Sequence, residues 1–401
     1  MTSPARFILT ICVAEALSMT AFSAYATLLP VLAPEFGLNN SQAGLVGGIV
    51  LGGYMVGVAL LGPLTDRVDA RRVYVAAALV GAIGALGFAL FARGFWSALL
   101  CQSLIGVGLA GSYISGMKAL TDRVEGRWQT RAAAWYGGTF GIGASVSMIF
   151  CGAVASAFGW RTAFMLASGG SVAAAAVVLA ALKRTIPRPV ARPPMLDFRH
   201  VFRNAAVRPY LFGTAAHSWE LHGTRAWLVA FLTFAAERQG GAGGVSVSVA
   251  LTAAIIYLFG PAASICGNEF ALRFGRARIM TIGPAVSATL SCVIGFLAGS
   301  PWLTLLTFAA VHMFFVTMDA GAITGGVVPA ADPVHRGATL SLHSLIGFGM
   351  GCVSPTVFGA VLDLAGGREE PIAWGLAFAS LGLVALLGII PARQLARRAR
   401  A

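Results

Sequence analysis

The chain has 401 residues, of which 57% are hydrophobic and 11% are charged. Because an ordinary soluble domain has roughly 25% charged residues, this composition excludes a soluble protein. The formal net charge is +13, but the basic residues lie in short loops between apolar stretches. That distribution indicates membrane topology and argues against a nucleic-acid partner.

Twelve apolar stretches follow one another along the chain, and about 20 apolar residues suffice for one helical crossing of a ~30 Å hydrocarbon core. A helix satisfies its own backbone hydrogen bonds there. We therefore predict an all-α integral membrane protein with twelve transmembrane helices. The predicted spans are 7–33, 42–64, 73–93, 96–118, 132–156, 162–182, 209–235, 246–271, 279–299, 302–327, 338–362 and 372–391.

The basic residues predict the orientation, since Lys and Arg concentrate in cytoplasmic loops. With both termini in the cytoplasm, 23 of the 28 Lys and Arg residues lie in or beside cytoplasmic segments. Residues 183–208, rich in arginine and proline, then form a cytoplasmic linker. This linker separates two halves of six spans each, 1–182 and 209–401, and equal halves of this kind are typical of transporters.

The first span contains Glu15. A charged side chain at bilayer depth costs at least ~2.5 kcal/mol, so such a residue is a functional candidate. Packing alone and contact with substrate are equally open for Glu15, which we treat as a candidate substrate-binding residue.

The loop after the second span reads GPLTDRVDARR over 62–72. An acidic residue here can face the partly positive N-terminus of a neighbouring helix and so favour one of two states of an inner gate. The candidate gating residues are Asp66, Arg67, Arg71 and Arg72. Loop solvation is the alternative role for Asp66.

This loop resembles the signature between helices 2 and 3 of the major facilitator superfamily, Gly-x-x-x-Asp-Arg-x-Gly-Arg-Arg, with Asp69 in place of the second glycine. A degenerate copy, RFGRAR over 273–278, follows the eighth span. The resemblance implies two pseudo-symmetric six-helix bundles. Gln102 stands where a second family motif has an arginine that is often linked to proton coupling, so the resemblance gives this position no such role.

The seventh span has the densest polar cluster, HSWELHGTRAW over 217–227. Glu220 and Arg225 are candidates for substrate binding, and Trp219 and Trp227 offer flat walls for a ligand or a guanidinium. Ion pairs with neighbouring helices are the structural alternative for the two charges. Packing or interface anchoring is the alternative for the two tryptophans.

Asp319 lies in the middle of the tenth span among apolar and small residues. A carboxyl group in such surroundings either carries a proton or needs a cation, so Asp319 is a proton carrier or the counter-ion of Arg225. Glu220 is the second candidate for proton coupling. His343, in the eleventh span, is a further candidate for substrate binding.

Together these features predict a secondary transporter of the inner (plasma) membrane that moves a small organic solute by alternating access. Arg225 favours an anionic or carboxylate-bearing substrate, and the acidic and histidine residues suit proton coupling. The alternative is a proton-antiporting exporter of drugs or hydrophobic compounds, and a membrane sensor or enzyme is a remote third class. The chain has no Walker motif, so ATP is not the predicted driver, and it has no metal-ligand spacing, so we predict no metal and no cofactor. No catalytic constellation stands out, so we predict no enzymatic activity. We also expect a monomer.

Overall fold

A computed structural model describes residues 4–65, 67–184, 198–240 and 247–398. Within these residues the chain is helical and has no strand. The helices are α1 (Pro4–Ser18), α2 (Ala24–Glu35), α3 (Asn40–Leu64), α4 (Ala70–Phe91), α5 (Phe95–Thr121), α6 (Arg127–Ala181), α7 (Arg199–Arg203), α8 (Arg208–Arg238), α9 (Val247–Phe274), α10 (Arg276–Ile294), the 3₁₀ helix η1 (Gly295–Gly299), α11 (Trp302–Ala330), α12 (Arg336–Leu364), α13 (Pro371–Leu386) and α14 (Ile389–Arg398).

The predicted all-α membrane fold is confirmed. In the described part of the chain, nine helices are long and apolar enough to cross a membrane. This criterion counts three fewer helices than the twelve predicted spans, for reasons that the structure shows. The first span is divided between α1 and α2, the fifth and sixth spans together form the 55-residue α6, and α8 carries the polar cluster.

The break between α1 and α2 is held by side-chain hydrogen bonds to α6. The hydroxyl of Ser23 donates to the carbonyl of Ala144 at 2.9 Å, and the hydroxyl of Thr20 lies 2.7 Å from the carbonyl of Ala167. The backbone N–H of Ser23 donates to the hydroxyl of Ser147 at 3.0 Å, and that hydroxyl donates to the carbonyl of Thr20 at 2.7 Å, so backbone groups that a broken helix would leave exposed to hydrocarbon are satisfied. Counting apolar residues along the sequence predicts a single first span, whereas the structure has two helices, α1 and α2, in its place.

The described residues cluster into two compact units. The first comprises Met1–Leu38, Ile49–Ala191 and Gly244–Ile255, and the second comprises Asn39–Gly48, Arg192–Gly243 and Ile256–Ala401. The start of α3 therefore belongs to the second unit and the rest of α3 to the first. The start of α9 belongs to the first unit and the rest of α9 to the second. The division into halves at 1–182 and 209–401 stays a prediction, and part of its linker lies outside the described residues.

In the first unit, α4 packs on α5 and α6, and α1 packs on α6. Glycine permits the close approach of α3 and α5, because a Cβ atom at Gly106 would collide with the backbone of Val50 and one at Gly53 with that of Ser103. Small residues at helix contacts are the usual means of packing where lipid provides no hydrophobic drive.

In the second unit, α8 packs on α11 and α12, and α10 packs on α11 and α13. The carboxylate of Asp363, at the end of α12, binds the first turn of α3. It accepts hydrogen bonds from the backbone and side-chain nitrogens of Asn40 at 2.9 and 2.8 Å, and from the backbone nitrogen and hydroxyl of Ser41 at 2.8 and 2.6 Å. A carboxylate is favourable there because the helix N-terminus is partly positive.

Candidate functional site

The second unit contains a cavity of about 180 Å³ between α8, α11 and α12. Three histidines line it together with hydroxyl groups and small apolar residues. The lining residues are Thr214, His217, Ser218, His222, Ala320, Ile323, Thr324, His343, Ser344, Gly347 and Phe348. A cavity with several hydrogen-bonding groups and an apolar remainder suits a small polar ligand.

His217 and Asp319 form a buried pair at the wall of this cavity. Nδ1 of His217 lies 2.8 Å from Oδ1 of Asp319, and the two side chains are 10% and 4% exposed. Gly283 of α10 leaves room for the pair, since a Cβ atom at that position would lie 3.2 Å from Cβ of Asp319. Asp319 is therefore the partner of His217, and of the two alternatives for Asp319 the structure does not show the counter-ion of Arg225.

The other two histidines are positioned by hydrogen bonds within the unit. Nε2 of His343 lies 2.9 Å from the hydroxyl of Thr214, which also lies 2.9 Å from the carbonyl of Tyr210. Nδ1 of His222 lies 3.1 Å from the carbonyl of Ser218 and must donate, because a carbonyl only accepts. Nε2 of His222 is then left as an acceptor for a ligand.

Glu220 does not line this cavity. Its carboxylate accepts hydrogen bonds from the hydroxyls of Ser287 and Ser291, both at 2.7 Å, and lies 3.3 Å from Nε2 of His312. All four residues are at most 2% exposed. This network joins α8 to α10 and α11, so the structure favours the structural alternative for Glu220.

Arg225 lies two turns further along α8 than His217, beside α9. Its guanidinium carbon is 5.3 Å from the centre of the Tyr257 ring, and the Tyr257 hydroxyl donates to the Arg225 carbonyl. Within the described part of the chain the guanidinium has no acidic partner, and its Nε is buried without a hydrogen bond. A largely buried cation without a counter-ion is poised to bind an anion.

The two tryptophans differ in their surroundings. Trp227 has no exposed surface, donates from Nε1 to the carbonyl of Pro355 at 2.9 Å and stacks on Phe358 at 5.3 Å. The expectation that Trp227 forms a ligand wall is therefore not met, because it is a core residue of the second unit. Trp219 is half-buried, and its indole nitrogen has no partner among the described residues.

Glu15 lies in the core of the first unit with no exposed surface. The hydroxyl of Tyr136 donates to its Oε2 at 2.8 Å, and its Oε1 has no hydrogen-bond partner in the part of the chain that is described. Glu15 is thus a buried acid in this structure and lies outside the histidine-lined cavity. Its role in substrate binding stays a prediction.

The candidate gating residues lie around the start of α4, except that Asp66 lies outside the described residues. Arg67 and Arg72 are exposed. Nη2 of Arg71 donates to the carbonyl of Leu179 at 2.6 Å. In the described residues this contact ties α4 to the end of α6, and the gating role stays a prediction.

Sequence reasoning did not single out His222, Thr214 or Tyr257. The sequence does contain a signal for Thr214: it lies three residues before His217 on α8, and residues three and four apart share a helix face. Tyr257 carried none, since its contact with Arg225 joins α8 to α9.

Comparison with protein families gives one match: the model described as "Major Facilitator Superfamily" matches residues 11–240. The "Inner membrane transport protein YnfM" of Escherichia coli K12 is 26% identical over 267 residues, 65% of this chain and 61% of that protein. The chain therefore spans 61% of the length of this relative.

The names of two further relatives state what those proteins transport. The "Probable 4-methylmuconolactone transporter" of Cupriavidus pinatubonensis is 23% identical over 72% of this chain and 69% of that protein. A "Putative metabolite transport protein" of Haemophilus influenzae is 23% identical over 91% of this chain and 90% of its own length.

Solved structures share the fold. The nucleoside transporter NupG aligns with a TM-score of 0.78 at 15% identity and covers 98% of this chain and 99% of that chain. A bacterial homolog of the human lysosomal transporter Spinster aligns with a TM-score of 0.76 at 14% identity, over 99% of this chain and 96% of that chain.

Proposed function

The chain belongs to the Major Facilitator Superfamily, a family of membrane transporters, and we propose that it moves a small organic anion across the inner membrane by proton-coupled alternating access. The relatives whose names include transport of a metabolite support a solute as cargo. The name of the E. coli relative supports the inner membrane as the location.

The observation that carries proton coupling is the pair of His217 and Asp319 at the cavity wall. One proton lies between Nδ1 and Oδ1 at a separation of 2.8 Å. In that state the neutral imidazole and the carboxylate carry one negative charge between them. A proton taken up on Nε2 of His217 turns them into an imidazolium–carboxylate ion pair of zero net charge. Loss of that proton to the opposite side returns the pair to its negative charge, which weakens binding of an anionic substrate.

Arg225 supports the anionic class of substrate. Because its guanidinium lies beside Tyr257 without an acidic partner in the described residues, a carboxylate can form the paired hydrogen bonds that a planar guanidinium favours. Gly260 of α9 leaves space at this point, since a Cβ atom there would lie 3.6 Å from Nη2 of Arg225.

The experiment is transport into proteoliposomes with an imposed pH gradient. A thermal-shift screen of the purified protein against carboxylates, lactones, neutral metabolites and cationic drugs first identifies ligands, because binding to the native state raises apparent stability. Stabilisation by carboxylates and uptake that depends on the pH gradient support the proposal. Stabilisation by hydrophobic cations alone, with extrusion against the gradient, would establish the drug-exporter alternative instead.

A further inference from the structure

A second cleft, of about 390 Å³, lies in the first unit where α4 begins and α6 ends. Three arginines line it: Arg71, Arg72 and Arg184. Leu79 of α4 and Leu179 of α6 form part of its apolar wall. This cleft shares no residue with the histidine-lined cavity of the second unit.

The arginines give the cleft a positive charge that the structure only partly offsets. Asp69 also lines it, but the carboxylate of Asp69 accepts the backbone N–H of Arg71 at 3.1 Å and so caps the N-terminus of α4. Arg72 and Arg184 are exposed. The Nε of Arg71 is buried and has no hydrogen-bond partner in the described residues.

A fourth arginine adds to the positive potential. Nη2 of Arg123, in the loop after α5, donates to the carbonyl of Lys183 at 2.5 Å, next to Arg184. Burial lowers the pKa of Arg123, and the nearby charge of Arg71 lowers it further, whereas Asp69 and Asp122 act in the opposite direction. Arg71 therefore lies close enough to Arg123 to repel it, and a bound anion would add to the compensation that Asp69 and Asp122 provide.

Capping of α6 explains only part of this arrangement. Arg71 donates to the carbonyl of Leu179 in the last turn of α6, as basic residues often do at helix ends. Arg72 and Arg184 take no part in that capping, and membrane topology requires only that they lie in the cytoplasm.

The apolar wall distinguishes a lipid from a soluble anion. Leu79 and Leu179 are 43% and 47% exposed on the outer faces of α4 and α6, which are membrane spans. The predicted topology puts their arginine-bearing ends in the cytoplasm, where basic pockets between spans meet the anionic leaflet. A soluble phosphate would use the arginines but not this wall.

We propose that this cleft binds an anionic phospholipid of the cytoplasmic leaflet. The headgroup phosphate is held by Arg72 and Arg184, with Arg71 behind it, and an acyl chain lies along Leu79 and Leu179. The lining residues of this cleft all belong to the first unit, whereas the histidine-lined cavity belongs to the second.

The test compares the full-length protein with the double variant Arg72→Gln/Arg184→Gln by native mass spectrometry and thermal shift. The probes are phosphatidylglycerol, phosphatidylcholine and inorganic phosphate. The matched control is Arg273→Gln/Arg278→Gln, which removes two exposed arginines from the end of α9 and the start of α10.

We expect phosphatidylglycerol to bind the parent protein and the control alike, and to bind the Arg72/Arg184 variant roughly 30-fold more weakly. Phosphatidylcholine should bind all three with equal, low affinity. Equal binding of phosphatidylglycerol to the variant and the parent would overturn the proposal, as would equal stabilisation by inorganic phosphate. If the double variant fails to fold, the single variant Arg184→Gln must show weaker binding of phosphatidylglycerol, and its failure to do so also overturns the proposal.

Discussion

His217 and Asp319 bridge α8 and α11 through a single 2.8 Å contact, and His217 alone of the two reaches the cavity surface. Asp319 is therefore shielded from a ligand in the cavity. His217 lines the cavity, so the state of the pair can affect the ligand through His217. Under the proposed function, we therefore expect a change at Asp319 to alter ligand binding through His217, without a direct contact between Asp319 and the ligand.

We expect Asp319→Asn to abolish uphill accumulation driven by a pH gradient and to preserve exchange of substrate, because asparagine mimics the protonated acid. Both activities are measured in proteoliposomes. Asp332→Asn, a carboxylate in the loop after α11 that accepts the backbone N–H of Val334 at 2.8 Å, is the matched control. Accumulation that persists in Asp319→Asn would remove this residue from the proton path, and loss of exchange would indicate a structural role.

Arg225→Lys should weaken substrate binding by about tenfold or more, since an ammonium group retains the charge but not the planar pair of donors. The apparent affinity follows from uptake at varied substrate concentration. Arg238→Lys is the control, because Arg238 lies on the same helix and its guanidinium carbon is 5.7 Å from an aromatic ring centre, that of Phe234. Unchanged affinity in Arg225→Lys and in Arg225→Ala would refute the anion site.

Glu220→Ala should lower the melting temperature by several degrees, because it leaves the hydroxyls of Ser287 and Ser291 buried without this acceptor and removes the carboxylate beside His312. Removal of one partner from a buried charged network costs about 3 kcal/mol. Glu220→Gln, which keeps an acceptor oxygen, should be milder. Glu269→Gln, at an exposed position on α9, should leave the melting temperature unchanged. A Glu220→Ala protein with normal stability and no transport would return Glu220 to the coupling candidates.

Asp363→Ala should loosen the first turn of α3, since four hydrogen bonds to Asn40 and Ser41 are lost. A lost carboxylate cap costs about 1 kcal/mol, which corresponds to roughly fivefold greater opening. The rate of labelling of a cysteine placed at Gln42, in a background without other cysteines, measures this opening. Glu369→Gln, an exposed acid in the following loop, should leave the rate unchanged.

The sequence predicted the helical membrane fold and the family because both rest on properties that are local to each segment. The apolar length of each span and the loop over 62–72 need no tertiary partner to be recognised. Glu220 shows the limit of such reasoning. On α8 it looks like a charge awaiting a ligand, and only the position of Ser287 and Ser291 on α10 shows that its hydrogen bonds are already made.

Trp227 and Arg225 show the same limit of prediction from sequence, with opposite outcomes. The spacing along α8 says which face each residue occupies but not which helix covers that face. Pro355 and Phe358 of α12 cover Trp227 completely, whereas Arg225 meets Tyr257 and stays without an acid in the described part of the chain. Long-range helix pairing decides between these outcomes, and a single sequence does not contain it.

Gly159 is the one non-helical residue within α6, with φ 82° and ψ 162°, and its positive φ suits glycine because it has no Cβ atom. The next two residues bind α2, through Trp160 Nε1 at 2.6 Å from Oε2 of Glu35 and Arg161 at 3.2 Å from its Oε1. Consecutive spans joined this tightly have almost no loop to translocate. During biosynthesis we therefore expect the fifth and sixth spans to leave the translocon together as a helical hairpin. This hairpin then docks on α2, which is already in the bilayer.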